Sequence, residues 1–222
     1  MEQVVFDRQL GLVDSSIFDT PITVVGAGGI GSFTTLALAK IGFKNIAVWD
    51  FDIIEPHNLP NQFYRLDDVG KYKVEALEEI VLAFTGTKIL GFKEIWHKDI
   101  DMQGLVISAV DSMKVRAEIY DSIKRNIRVR AFIDGRMGSN QLEIYTTRID
   151  SSLDKKAYTK TLWKDSETAN IPCTERAVMY NVLTIASWIV NQARLVLSGK
   201  AYHREMILDL ENMILILPVE KK

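Results

Sequence analysis

Cysteine is nearly absent from this chain. Its 222 residues include one, Cys173, which excludes an internal disulfide and any zinc site made from paired Cys-x-x-Cys motifs. No zinc is expected, and whatever Cys173 does it does without a second thiol in its own chain. An excess of positive charge is missing too: 27 Lys and Arg against 29 Asp and Glu give a net charge of −2 and a pI near 6.0. No consecutive block of basic residues interrupts that balance, so the electrostatic footprint of a nucleic-acid binder is absent and nucleic acid is not expected as the main partner. Long hydrophobic runs are also lacking. The longest uncharged apolar stretch, VLTIASWIV at 182–190, falls far short of the roughly 20 residues that a membrane span needs. The opening MEQVVFDRQL has no basic start followed by an apolar run and a small-residue cleavage site. No membrane partner and a cytoplasmic location are the expectations.

What remains is ordinary globular material. With 47% hydrophobic and 25% charged residues, the chain can bury a full core, and a single domain over 1–222 is expected. Up to about residue 135, short β-branched runs alternate with helical patterns. ITVV (22–25), NIAVWD (45–50), KILGFKEIW (88–96), LVISAV (105–110) and VRAFID (129–134) read as strands. GSFTTLALAKIG (31–42), GKYKVEALEEIVLAF (70–84) and SMKVRAEIYDSIKR (112–125) read as helices, the first stopped by Gly42. This order predicts an α/β fold, a Rossmann-like, doubly wound and mostly parallel sheet. From about 136 to 222 the pattern changes. NQLEIYTT (140–147) alternates like a half-exposed strand, and the polar stretch from about 148 to 172 reads as a functional loop. A long helix over 174–199 and two antiparallel strands within 206–217, turning at Glu211 and Asn212, complete the expectation. That helix is apolar on most of its circumference, so it must be buried in the core or against another subunit.

Between the first strand and the first helix lies VVGAGGIGSF (24–33), in which Gly26, Gly28 and Gly31 fit a G-x-G-x-x-G spacing with Gly29 as an extra. Such a loop turns tightly and lets phosphate oxygens approach backbone N–H groups at the positive end of a helix. Asp50 ends the second strand, where an acidic side chain can bind a ribose hydroxyl. Alone, these residues would suit a nicotinamide dehydrogenase.

The next stretch points elsewhere. WDFDIIEPHNLPNQF (49–63) resembles the signature after the second strand in the ubiquitin-activating-enzyme-like superfamily of ThiF, MoeB and HesA proteins, with Asp50, Asp52, Asn58, Leu59 and Gln62 at matching places. FDRQLGL (6–12), VGKYKVEAL (69–77) and AVDSMKVR (109–116) are similar to further elements of that family, so the resemblance covers nearly the whole chain. It looks most like the compact ThiF-type proteins of bacterial operons, including those linked to ubiquitin-like conjugation. The resemblance implies ATP- and Mg²⁺-dependent adenylation of a carboxylate, usually the C-terminal glycine of a ubiquitin-like or sulfur-carrier protein, by a homodimer. A conjugating enzyme would be a further partner. By the same resemblance Lys73 serves the phosphates, Asp111 holds Mg²⁺, Arg8 reaches the active site of the partner subunit, Asn58 and Gln62 donate near the phosphates, and Asp50 binds ribose. An anionic nucleophile must approach an anionic triphosphate, so neutralisation and alignment carry the chemistry. Each residue also has a plainer reading: Lys73 as a solvated helix residue, Asp111 as a helix cap, Arg8 as a surface charge, and Arg116 as a residue that only orients Asp111.

Departures from the pattern sharpen the expectations. Asn61 stands where the family has arginine, so either Arg65 replaces it or turnover is weak. Cys173, in NIPCTERAVM (170–179) ahead of the long helix, resembles the active cysteine of short activating enzymes, where a thioester would form. A helix N-terminus and Arg176 favour thiolate, Glu175 opposes it, and a buried structural cysteine is the plain alternative. Three other functions stay open. They are adenylation of a different carboxylate (a peptide, or cyclisation of threonylcarbamoyladenosine in tRNA, which a basic surface strip would support), a non-catalytic subunit binding a ubiquitin-like protein, and an NAD-dependent oxidoreductase.

Overall fold

The computed structural model describes residues 9, 11–138, 140–162 and 178–217. The first half alternates strand and helix as the apolar periodicity predicts: β1 (Ile22–Val25), α1 (Gly29–Ile41), β2 (Ile46–Trp49), α2 (Lys73–Thr85), β3 (Leu90–Phe92), β4 (Gly104–Ser108), α3 (Met113–Ile123) and β5 (Val129–Gly138). There follow β6 (Gln141–Arg148), α4 (Ser152–Thr159), α5 (Met179–Leu197), β7 (Glu205–Asp209) and β8 (Ile214–Ile216). All strands join one sheet in the order β3-β2-β1-β4-β5-β6-β7-β8. The first five run parallel, and β6, β7 and β8 pair antiparallel. The chain winds outward from β1 through β2 to β3, then returns to place β4 on the other side of β1. That reversal between β1 and β4 opens a crevice at their carboxyl ends, where ligands of doubly wound sheets bind.

Side-chain alternation covers the sheet on both faces. Val24, Ile107 and Ile133 join the cluster that also holds Leu38 of α1, Leu77 of α2 and Ile189 of α5. Their chain neighbours Val25, Val106 and Phe132 join the opposite cluster, with Ile119 of α3 and Tyr158 of α4. A period of two in each strand therefore builds two cores from consecutive residues. Gly42 ends α1 in the left-handed region with its N–H on the carbonyls of Leu38 and Ala39, the stop read from the sequence.

Three segments differ from the sequence reading. The expected strand 88–96 is the edge strand Leu90–Phe92, beyond which the chain turns outward and leaves Ile95 exposed. The polar stretch from 148 to 172 begins as the helix α4, whose N-cap Ser151 accepts the Asp154 N–H. Its apolar anchor is mainly Tyr158, and the buried carboxylate of Asp154 fixes it further by accepting from the Arg148 N–H, the Ser151 hydroxyl, Arg204 Nε and the Tyr202 hydroxyl. One ring and a buried polar knot leave almost no hydrophobic period to read. Within the expected helix 174–199, α5 runs Met179–Leu197, while 174–177 lie outside the described residues.

Candidate nucleotide-binding site

Gly26 leaves β1 at φ +97°, donates to the Trp49 carbonyl at 2.8 Å, and lies so close to the next strand that a Cβ would stand 2.7 Å from the Ala109 carbonyl oxygen. Gly31, in the first turn of α1, is closer still, since its Cβ would fall 1.8 Å from the Gly26 oxygen. These two glycines shape the loop. Gly28, the N-cap of α1, is different: nothing lies within 4 Å of a Cβ built there. The space in front of a helix N-terminus, whose first N–H groups have no intrahelical acceptor, suits an anion. Gly29 packs against Val182 of α5 and the Asn61 carbonyl.

Asp50, just past β2, ties the loop together. One carboxylate oxygen accepts the Ala27 N–H at 2.6 Å and the other accepts the Asp52 N–H at 2.8 Å. Burial pushes this carboxyl above the usual aspartate range, with the charge of Lys73 and the two backbone donors opposing it. Across the loop the Tyr64 hydroxyl donates to the Ala27 carbonyl at 2.5 Å. Burial and the nearby Asp50 hold that phenol well above its ordinary value, so it stays a donor. Neither the packing of Tyr64 nor its hydrogen bond carried a signal in the sequence.

Lys73 is the first residue of α2 and is almost fully buried. Its ammonium sits 2.6 Å from Oδ2 of Asp52, and its own N–H donates to the Asp52 carbonyl. The solvated-helix reading of Lys73 is therefore incorrect. Asn58 is buried within the turn 55–62: its Oδ1 accepts the Glu55 N–H, and its carbonyl accepts the N–H groups of Asn61 and Gln62. Gln62 Oε1 is buried with no hydrogen-bond partner among the described residues, leaving polar capacity beside the loop.

Arg65 does not supply the positive charge missing at Asn61. Its guanidinium grips Asp68 with two bonds of 2.8 Å and Glu79 with a third of 2.7 Å, which raises its already high pKa further. Asp111 follows β4 at the carboxyl rim and is exposed. Ser112, not Asp111, caps α3, accepting the Val115 N–H at 3.3 Å. Nor does Arg116 orient Asp111 directly. It donates to the carbonyls of Val110 and Gly135 and to the buried carboxylate of Asp134, which also takes Arg136 Nε at 2.7 Å and the Tyr158 hydroxyl at 2.9 Å. Arg136 in turn lies over the Tyr145 ring at 4.3 Å and donates to the Thr161 carbonyl. This buried knot fixes the strand end that presents Asp111. Asp134 and Arg136, two apart within an apolar strand, were its available sequence signal, because a buried charge needs a partner.

Gly26, Gly28, Asp50, Asp52, Lys73 and Asp111 thus follow the carboxyl ends of β1, β2 and β4 or face them from α2. Arg8 and Cys173 lie outside the described residues. Among the described residues no group of three or more His, Cys, Asp or Glu side chains can hold a metal by itself. A single carboxylate such as Asp111 is nonetheless enough for Mg²⁺ carried by phosphate oxygens and water. The residues present fit a nucleotide: open space over Gly28, the part-buried carboxylate of Asp50 just past β2, and the buried ammonium of Lys73 at the start of α2.

The model of the ThiF family matches residues 7–205. The chain belongs to the ThiF family. Over 104 residues this ThiF-family chain is 38% identical to the NEDD8-activating enzyme E1 catalytic subunit of Arabidopsis thaliana, covering 44% of the chain and 23% of that protein. Over 71 residues it is 35% identical to ubiquitin-like modifier-activating enzyme 5 of Oryza sativa subsp. japonica, covering 31% and 17%. It therefore spans about a quarter or less of the length of these relatives. Among solved structures, PaaA superposes with a TM-score of 0.75 at 19% identity, over 96% of this chain and 68% of that one. MccB of E. coli superposes with a TM-score of 0.77 at 14% identity, over 98% and 70%. At those identities the superpositions establish the shared fold. Among the described residues, no helix is long and apolar enough to cross a membrane.

Proposed function

We propose that this protein is an ATP-dependent activating enzyme that adenylates the C-terminal carboxylate of a ubiquitin-like or sulfur-carrier protein. The observation that carries this reading is the meeting, at the switch point of a ThiF-family sheet, of an open helix N-terminus at Gly28, the buried Asp50, the Lys73–Asp52 pair and the exposed Asp111. Relatives whose names describe NEDD8- and ubiquitin-like-modifier-activating enzymes support the substrate class. In the reaction, a carboxylate oxygen of the substrate bonds to the α-phosphorus of ATP while the bond to the bridging oxygen breaks, giving acyl-adenylate and pyrophosphate.

The chain's own residues would bind and align. Asp50 accepts from the ribose, the N–H groups around Gly28 and Gly29 face phosphate oxygens, and Asp111 holds Mg²⁺. Lys73 turns from Asp52 towards the phosphates, where an ammonium is worth most in a site that excludes water. Asn58 and Gln62 fix the wall beside them. Arg8 would enter the neighbouring site of a homodimer. The exposed apolar residues Val178, Met179, Tyr180 and Leu183 at the start of α5 supply surface for such pairing. Cys173 would then receive the acyl group from the adenylate, releasing AMP.

A second reading is favoured by one observation. With Asn61 in place of arginine and Arg65 engaged by Asp68 and Glu79, the site carries less positive charge than the family pattern, as a binding subunit without chemistry would. ATP–pyrophosphate exchange against a panel of small proteins and peptides ending in free glycine separates the two. Carboxylate-dependent exchange supports adenylation, whereas partner binding with no exchange supports the binding subunit.

A further inference from the structure

The rim of the sheet opposite the nucleotide site carries its own feature. A groove with a cavity of about 500 Å³ runs between the end of α3, the amino end of β5, the turn after β6 and the end of α5, and it continues along α4 into a second cavity of about 460 Å³. Lys124, Arg125 and Lys155 line both, so the two form one surface. Among the described residues, seven cationic side chains border it against one lining carboxylate, Asp150, in a chain whose net charge is −2.

Some of that charge has local work. Arg130 donates to the Leu197 carbonyl at the end of α5, Arg148 pairs with Asp150, and Lys124 pairs with Asp121. Four cations remain. Arg125, Lys155, Lys156 and Lys160 have no carboxylate partner among the described residues and project from α4 and the end of α3 into the same groove. Helix C-termini attract cations within the last turn, but that accounts for neither their number nor their convergence from two helices. Val129, Ile149 and Val196 lie beneath the groove but are themselves buried, and the apolar side chain open to a partner is Ile127, which stands at the lip 97% exposed.

We propose that this groove docks an acidic polypeptide segment with apolar residues between its carboxylates. The cationic groups without a carboxylate partner answer the carboxylates, and the exposed Ile127 answers the side chains between. Nucleic acid is the competing occupant of a basic strip. A single strand would need ring faces on which to stack bases, and Tyr120 in this groove is 2% exposed. A duplex needs only phosphate contacts; against it stands Ile127, an apolar side chain exposed at the lip, which suits a polypeptide and not a phosphate backbone. The surface lies roughly 15 Å along the strands from the nucleotide rim, so it stands or falls independently of adenylation.

The test is fluorescence anisotropy with a labelled peptide of about twelve residues alternating Glu with Leu, long enough to span both cavities, against a Glu-Gly peptide and a duplex RNA oligonucleotide. The Glu-Leu peptide is expected to bind most tightly and to weaken as salt rises. The triple variant Lys155→Glu, Lys156→Glu, Lys160→Glu should weaken it by about tenfold or more. Ile127→Asp, at a site too exposed to disturb folding, should weaken it as well. Pyrophosphate exchange should not change in either variant, and the thermal midpoint should hold in Ile127→Asp and fall slightly in the triple variant, whose charges are reversed at the carboxyl end of α4. Tighter binding of the oligonucleotide, equal binding of the Glu-Gly peptide, or wild-type affinity in either variant would overturn the assignment.

Discussion

The ammonium of Lys73 stands 2.6 Å from Oδ2 of Asp52, with the lysine side chain 8% exposed and the aspartate 45% exposed. The pair is asymmetric: the cation is buried at the crevice while its partner keeps contact with water. Asp52 is already solvated, but the part-buried Asp50 loses the charge that opposes its desolvation. Lys73→Ala is therefore expected to fold with a lowered thermal midpoint and an Asp50 carboxyl raised further, and to lose on the order of 10²- to 10³-fold in pyrophosphate exchange, the usual loss when one preorganised charge donor is deleted. Lys73→Arg should recover little, since the planar guanidinium does not fit a lysine's buried path. Near-normal exchange in the alanine variant would remove Lys73 from the site.

Asp111 makes the complementary case. Ser112 caps α3 and Arg116 is committed to Val110, Gly135 and Asp134, so the exposed Asp111 has no structural duty that these contacts reveal. Asp111→Ala should leave the melting curve within about 0.5 kcal/mol of wild type, as for surface substitutions generally, and abolish Mg²⁺-dependent exchange. Asp111→Asn separates charge from shape. Its exchange should also fall, and unchanged exchange in both variants would refute the metal-ligand role.

The glycines of the loop divide by what surrounds them, which makes them separable by experiment. A methyl at Gly31 would meet the Gly26 oxygen at 1.8 Å, while a methyl at Gly28 meets nothing within 4 Å. Gly31→Ala should accordingly lower stability by several kcal/mol, about the upper end of single-site effects, or fail to fold. Gly28→Ala should fold normally and lose nucleotide affinity, because the methyl occupies the approach to the helix N-terminus. Denaturant unfolding and nucleotide titration on the two variants check the contrast, and equal stability in both would contradict this loop packing.

These residues also show what the sequence could and could not reveal. Gly26 and Asp50 were legible because strong apolar periodicity marks the ends of the strands they follow, β1 and β2, whereas Lys73 came from the family resemblance, the helical pattern over 70–84 beginning three residues ahead of α2, which Lys73 opens. The position of Asp111 followed in the same way. What stayed hidden were contacts between segments far apart in the chain. The Tyr64 bond to Ala27 spans 37 residues, and the bond from Arg204 to Asp154 spans 50. Helix α4 was missed because its fixing groups are polar and its period nearly empty. The engagement of Arg65 by Glu79 was likewise invisible to a reading that placed Arg65 near the phosphates by sequence distance alone.

Cys173 can be tested without reference to its surroundings. A thioester acceptor would give a covalent complex with the activated partner that collapses on addition of thiol, and Cys173→Ala would lose the complex while retaining pyrophosphate exchange, because adenylation precedes transfer. Native and denaturing mass spectrometry read both. Transfer to a downstream acceptor at the wild-type rate by the alanine variant would make Cys173 structural.

Asp50 and Asp154 predict that binding and folding respond differently to acid. Burial raises the Asp50 carboxyl, so the folded state takes up its proton at a higher pH than the unfolded chain does. Ionising Asp50 opposes folding, and its contribution to stability declines as pH rises from the unfolded value of about 3.9 through the folded one. Asp154 runs the other way. Burial alone would raise it, but the Tyr202 hydroxyl, the Arg148 N–H, Arg204 and Ser151 together hold it low, so its support for the fold is complete above the unfolded value and is lost only as pH falls through the depressed one. Protonating Asp50 removes the negative acceptor that a ribose would use and weakens the bonds from Ala27 and Asp52 that shape the loop. On acidification, nucleotide affinity should therefore decline above the ordinary aspartate range while the fold, still supported by Asp154, remains intact. Isothermal titration with a non-hydrolysable ATP analogue beside thermal melts over the same pH series will show it. Asp50→Asn should bind weakly with no dependence on pH across that window, and Asp154→Asn should shift acid unfolding upward without moving the binding curve. Affinity that stayed constant until the protein unfolded would mean that the carboxylate of Asp50 does not face the nucleotide.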